Sequence, residues 1–189
     1  MTPGDAVRAF LALEIPAAVR AQIAQEQAQL KKEMPGARWT RPEGQHLTLK
    51  FLGEISPSAL EGLVNDLGPR LNGLGSVSVS LGGSGFFPSK NRPRVAWVGG
   101  SIEGIEPVVV AVEEAGDNVG FAREKRRWSL HLTQARLRKP WPRVAVDHFL
   151  EWGETLRIES FVCDEVILFR SDLQPGGAVY TALERMPLR

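Results

Sequence analysis

The chain has 189 residues, and 43% hydrophobic with 24% charged residues is the make-up of an ordinary folded protein, which excludes disorder and, at this length, two large domains. Its 23 lysines and arginines balance 22 aspartates and glutamates for a net charge of +1, which argues against a strongly basic nucleic-acid coat or an acidic tail and leaves nucleic-acid contact to local clustering. The single cysteine, Cys163, excludes intramolecular disulfides and cysteine-cluster zinc sites. No apolar run reaches the ~18–20 residues that span a bilayer, and no basic-then-apolar leader opens the sequence, so a cytoplasmic protein without a membrane partner is expected.

Val7 to Ile15 reads as a strand, and Val19, Ile23, Leu30 and Met34 recur near helical spacing until Pro35-Gly36 stops them. A short segment around Trp39 and a turn at Pro42-Glu43-Gly44 lead into an alternating strand from His46 to Leu52. Ser56-Pro57 supplies a cap and first-turn proline for a helix bearing Leu60, Leu63, Val64, Leu67 and Leu71, and Val77 to Leu81 is the next strand. The glycine-rich stretch from Gly82 to Pro88, with Lys90, Arg92 and Arg94 after it, reads as the connection between two halves.

The pattern then begins again. Val95 to Val98 is a strand, Val108, Val112, Ala115 and Val119 form a helical stripe closed by Gly120, and Leu130 to Leu137 alternates as a strand. A shorter helix carries Val146, Phe149 and Leu150, Phe161 to Phe169 is a long strand, and Tyr180 to Leu183 adds a last one. Both halves thus run strand, helix, strand, helix, strand, and the middle strand of each begins with His-Leu-Thr. The distance from first strand to histidine is 39 residues in one half and 36 in the other, so duplication of one unit is the economical reading.

His46-Leu47-Thr48 and His131-Leu132-Thr133 use two of only three histidines. On a strand, residues i and i+2 share a face, so each histidine lies beside its threonine while Leu47 and Leu132 turn to the core. If a pseudo-twofold axis relates the halves, the two polar faces converge on one cleft. Two imidazoles that titrate near ~6.5 can divide the roles of base and acid, and two hydroxyls can donate to phosphate oxygens, which suits phosphoryl transfer without a metal or other cofactor. A single such triplet would be read as an exposed strand edge; two in matching positions point to a site. His148 lies off its helix's apolar stripe and reads as solvated, and Cys163 reads as buried and inert.

The sequence resembles the 2H phosphoesterases, specifically the bacterial and archaeal RNA 2′,3′-cyclic phosphodiesterases also called 2′-5′ RNA ligases. The resemblance is carried by Arg8-Ala9-Phe10-Leu11-Ala12-Leu13 with Pro16, His46-Leu47-Thr48-Leu49-Lys50-Phe51-Leu52-Gly53, Phe86 with Pro88, Arg92-Pro93-Arg94-Val95-Ala96-Trp97, His131-Leu132-Thr133 with Arg136, and Leu168, Ser171, Pro175-Gly176-Gly177 and Tyr180 near the end. It implies an α+β fold, residues 1–189 forming a single bilobal domain of two pseudo-symmetric lobes of antiparallel sheet, helices outside and one His-Leu-Thr on each side of a central cleft. It also implies a protein that opens a 2′,3′-cyclic phosphate at an RNA end, or on a cyclic nucleotide, to a 2′-phosphate, with reversible ligation as a further activity; a monomer is expected. His46 would be the proton donor to the leaving 3′-oxygen, His131 the base that activates water, and Thr48 and Thr133 the phosphate holders. Leu130 and Gln134 depart from the usual proline and apolar residue. Arg127 and Arg94 are the expected phosphate contacts, and Phe86, with Phe87 and Trp128, a candidate base stacker. A non-catalytic RNA-end binding module, or a phosphodiesterase for another cyclic nucleotide or a 2′-5′ oligonucleotide, uses the same cleft.

Overall fold

The computed structural model describes residues 5–34, 36–175 and 177–188; Pro35 and Gly176, named in the sequence reading, lie outside them. Strands β1 (Val7–Glu14), β3 (His46–Ile55), β8 (Glu165–Gln174) and β9 (Gly177–Pro187) form a four-stranded antiparallel sheet in the order β3-β1-β8-β9. Strands β2 (Ala37–Trp39), β4 (Val77–Phe87), β5 (Val95–Glu103), β6 (Leu132–Leu137) and β7 (Phe161–Cys163) form a second sheet of five, in the order β2-β6-β5-β4-β7. Helices α1 (Ala17–Glu33), α2 (Pro57–Leu71), α3 (Ile105–Asn118) and α4 (Arg143–Thr155) pack on these sheets. The two antiparallel sheets with four helices are the expected α+β architecture.

Repetition of the sequence pattern hides an exchange. In each sheet the first strand of one half (β1 or β5) lies between that half's histidine strand (β3 or β6) and the third strand of the other half (β8 or β4). The glycine-rich stretch, expected as the connection between the halves, is instead strand: β4 runs on through it to Phe87, pairing with β5 across a register shift between Leu81 and Ser84. Gly85 is required there because any Cβ would fall 2.3 Å from the Trp97 ring. The predicted single strand from Phe161 to Phe169 is broken at Asp164 into β7 and β8, which serve different sheets.

The helices cross over as well. Leu30 and Met34 of α1 pack with Ala96 and Ala135 behind the five-stranded sheet, whereas α3 meets the back of β3. There Lys50, only 3% exposed, runs its arm past Gly116 and places its ammonium 2.5 Å from Glu113 and 2.9 Å from the Ala122 carbonyl. Gln134 of β6, fully buried, accepts a 2.7 Å hydrogen bond from Gln27 of α1. Each histidine strand is thus tied through its back to a helix from the opposite half.

A buried ion pair is costly to break on one side only, since the remaining charge has no water to return to. Glu113→Ala should lower unfolding free energy by ~3–5 kcal/mol, and Lys50→Met/Glu113→Leu should recover most of that. Urea unfolding of the three proteins checks this; equal losses in the single and double variants would show that burial of the charge is not the cause.

Candidate active site

His46 opens β3, and His131 stands one residue before β6, so the second triplet begins just outside its strand. Each motif strand contains a bulge immediately after its threonine. Pairing with β1 jumps from Thr48 to Lys50, and pairing with β5 jumps from Thr133 to Ala135. Burial then follows the same order in residues 46–52 and 131–137: half-buried, buried, half-buried, buried, buried, exposed, buried. Strict alternation would set Lys50 beside Thr48. The extra residue instead turns Lys50 and Ala135 to the core and brings Phe51 and Arg136 to the face of the histidine and threonine.

The His46 ring sits among aromatics, with centroids 4.6 Å from Phe10, 4.9 Å from Tyr180 in an edge-on contact and 6.2 Å from Phe169. Burial lowers its pKa to about 4, a hydrogen bond with the Gly44 backbone opposes the shift, and the nearby charges of His131 and Arg136 add to it. Glu14, the cross-strand partner of His46, offers no full counter-charge because Arg20 at 3.3 Å and Arg185 at 3.1 Å hold its carboxylate. A cavity of about 200 Å³ opens beside the ring, lined among others by Gln45, Phe169, Tyr180 and Arg185. A second, of about 250 Å³, lies beyond Glu14 near Cys163 and touches neither motif.

Across the cleft, His131 Nδ1 lies 3.0 Å from the Ser129 carbonyl. A proton on Nδ1 donating to that oxygen leaves the Nε2 lone pair bare. The ring is flanked edge-on by Phe87 at 5.2 Å, and Phe87 leans on Trp97 at 5.4 Å. Trp128 joins the two sides, its indole N–H donating to the Thr48 carbonyl at 2.9 Å.

The structure sets His46 within electrostatic reach of His131 and Arg136, with each threonine two residues along from its histidine, and redistributes the other candidates. Phe86 is 6% exposed and packs on Trp141 and Phe149; by strand parity its neighbour Phe87 faces the site, which corrects the expectation for Phe86. Arg127 is also corrected. Its side chain is 88% exposed and pairs with Glu106 of α3, on the back of the four-stranded sheet. Arg94 is exposed at the start of β5, where its carbonyl accepts from Leu137 N–H at 2.8 Å, next to Arg136 but not in contact with either histidine. Trp128 is held as a tie, not offered as a stacking platform. Arg136 and Phe51, the latter 61% exposed, stand in the motifs of the sequence but receive no role from it. Their shared position three places after each threonine was the available signal. His148 pairs with Glu33 at 3.3 Å, and the buried Cys163 donates to the Glu14 carbonyl at 3.3 Å, its thiol pushed up to about 12 by burial. Among the described residues, no group of three or more His, Cys, Asp or Glu is placed to hold a metal, and no helix is long and apolar enough to cross a membrane.

Two exchanged antiparallel sheets that present a His-x-Thr strand each to a common cleft define the two-histidine phosphoesterase class. The LigT-like phosphoesterase family pattern matches residues 13–97. The chain is 30% identical to the RNA 2′,3′-cyclic phosphodiesterase of Methanothermobacter thermautotrophicus over 94% of its own length and 97% of the relative's, and 35% identical to that of Thermus thermophilus over 97% and 91%. A crystal structure from Thermus thermophilus superposes with a TM-score of 0.75 at 27% identity, covering 96% of this chain and 98% of the other. The chain belongs to the LigT-like phosphoesterase family.

The depressed pKa of His46 has a signed consequence for stability. Its folded value lies below the ordinary 6.5, so as pH falls the unfolded chain takes up this proton first and the folded state loses stability between about pH 6.5 and 4. The stability difference between the wild type and His46→Gln, from urea unfolding at pH 7.5 and 4.5, should move against the wild type at the lower pH. A difference unchanged with pH would mean that His46 titrates as it does in the unfolded chain.

Proposed function

We propose that this protein opens 2′,3′-cyclic phosphates at RNA ends to 2′-phosphates, as a monomeric single bilobal domain in the cytoplasm. The observation that carries the reading is the twofold recurrence of one strand, bulge included, with His46 within electrostatic reach of His131. The family relatives named RNA 2′,3′-cyclic phosphodiesterases support it.

His131 Nε2 takes a proton from water, and the water oxygen attacks phosphorus. The bond from phosphorus to O3′ breaks as His46 delivers a proton to that oxygen, leaving the phosphate on O2′. Thr48 and Thr133 donate hydrogen bonds to the non-bridging oxygens, Arg136 supplies the cleft's cation, and Phe51 and Phe87 give apolar surface to the terminal nucleotide. The donor role asks His46 to be protonated, which burial opposes in the free protein. A bound phosphate anion reverses the balance: it neutralises Arg136 and adds its own attraction for an imidazolium.

Phosphorus NMR of a 2′,3′-cyclic nucleotide incubated with the protein and a chelator should show the 2′-phosphate appearing; no conversion, or conversion only with an added divalent ion, ends the reading. His46→Ala and His131→Ala should each remove most turnover, and the double variant should lose little more. Thr48→Val and Thr133→Val should each cost ~10–1000-fold. A substrate with a leaving alcohol that needs no proton should rescue His46→Ala and not His131→Ala; the reverse would exchange acid and base. Imidazole NMR should show the His46 pKa rising when a nucleoside 2′-phosphate binds, and no rise would remove His46 as the acid.

A further inference from the structure

Charge is segregated in this chain in a way that its net balance conceals. Residues 34–42, 67–102 and 125–146 contain no aspartate or glutamate. They supply β2, β4, β6 and all of β5 but its last residue, so the core of the five-stranded sheet is built almost without carboxylates. At one end of that sheet the bases crowd together. Register sets Arg38 opposite Arg136 on one side and Val95, next to Arg94, opposite Arg136 on the other. Arg138 and Lys139 extend β6 at the same end, and Lys90 and Arg92 lie in the turn between β4 and β5.

All seven side chains are exposed. Among the described residues, no carboxylate lies within ion-pairing reach of any of them. The other basic segment differs, because Arg123 is engaged by Glu114 and Asp117 and Arg127 by Glu106. Like charges directly opposed on paired strands destabilise a sheet, and an array of them left without counter-charge fits a polyanion. The array is continuous with the cleft, since the charge of Arg136 already acts on His46.

We infer that this end of the five-stranded sheet is a track for the phosphodiester backbone of RNA, holding the nucleotides that precede the terminal one, and that residues 123–127 are not part of it. The inference rests on the cyclic phosphodiesterase reading for its direction, from the cleft outward past Arg136. The β8–β9 hairpin forms the facing wall: a Cβ at Gly177 would lie 2.9 Å from the Arg38 guanidinium, and Leu173 and Val179 expose apolar side chains beside it.

The test compares kcat/KM on a 2′,3′-cyclic mononucleotide with that on a short single-stranded oligoribonucleotide ending in the same group. Arg92→Glu/Arg138→Glu/Lys139→Glu should lose at least ~10-fold on the oligonucleotide and stay within ~2-fold on the mononucleotide. Its log-log salt dependence on the oligonucleotide should flatten by about 2, at ~0.7 per phosphate contact. Lys125→Glu/Arg126→Glu/Arg127→Glu should match the wild type on both substrates. Retained oligonucleotide activity in the first variant, equal loss on both substrates, or loss confined to the second variant would each overturn the track. If the wild type turns over neither substrate, the phosphodiesterase reading fails. Fluorescence anisotropy of the labelled oligonucleotide then reads the track alone: weakened, salt-sensitive binding in the first variant supports it, and wild-type binding overturns it.

Discussion

The site depends on one departure from regular pleating, the extra residue that follows each threonine. A strand of strict period two would carry Lys50 on the cleft face with His46 and Thr48 and turn Phe51 to the core. With Leu49 and Gln134 inserted against their partners, histidine, threonine and the residue three further on share one face, and two successive residues behind them are buried. The same device re-aims a cation on one strand and an aromatic ring on the other. Because a one-residue slip would exchange buried and exposed side chains along the whole segment, the bulge must be held, and its surroundings show how. Gln134 spends its amide on Leu132 O at 3.2 Å and on Gln27, while its backbone carbonyl accepts from Thr40 N–H at 2.8 Å. At the related position Leu49 is simply buried.

Exchange of strands and helices between halves makes the two cleft walls mutually dependent. Sheets that each recruit their third strand from the other half cannot separate without opening ladders, and Lys50–Glu113 and Gln134–Gln27 repeat the exchange at side-chain level. Trp128 adds a direct strut from the approach to His131 to the backbone of Thr48. In the proposed reaction the histidines on opposite sheets must hold their separation closely for in-line chemistry, and an interlocked frame supplies that rigidity.

Much of this was legible in the sequence, and what was not has definite causes. Alternation around two identical triplets located both histidines, both threonines and the leucines behind them. Hydrophobic pattern carries no pairing information, so the exchange of third strands between the sheets leaves no local sign, and glycines that admit Trp97 against β4 read as a connection between two halves. Nothing local in the sequence reports that Phe86, and not the adjacent Phe87, faces α4. Arg127 is near His131 in sequence, yet it lies on a segment that turns outward to Glu106, whereas Arg136 sits farther along the chain on β6 itself. Phe51 and Arg136 were hidden by a bulge, which a period-two reading cannot foresee.

Two copies of one motif would give a symmetric site, and symmetric acids and bases cannot tell attack from departure. The chain breaks the symmetry around the motifs instead of within them. On the His46 side Phe10, Phe51, Phe169 and Tyr180 form an apolar bed, and burial there opposes protonation of the imidazole. On the His131 side the related strand position holds Arg136, and a backbone carbonyl fixes the ring by Nδ1. In the proposed mechanism this couples protonation of His46 to occupancy: the anion that carries the scissile bond would also favour the acid needed to break it. In the proposed reaction the direction of proton flow would then be set when the phosphate enters next to Arg136.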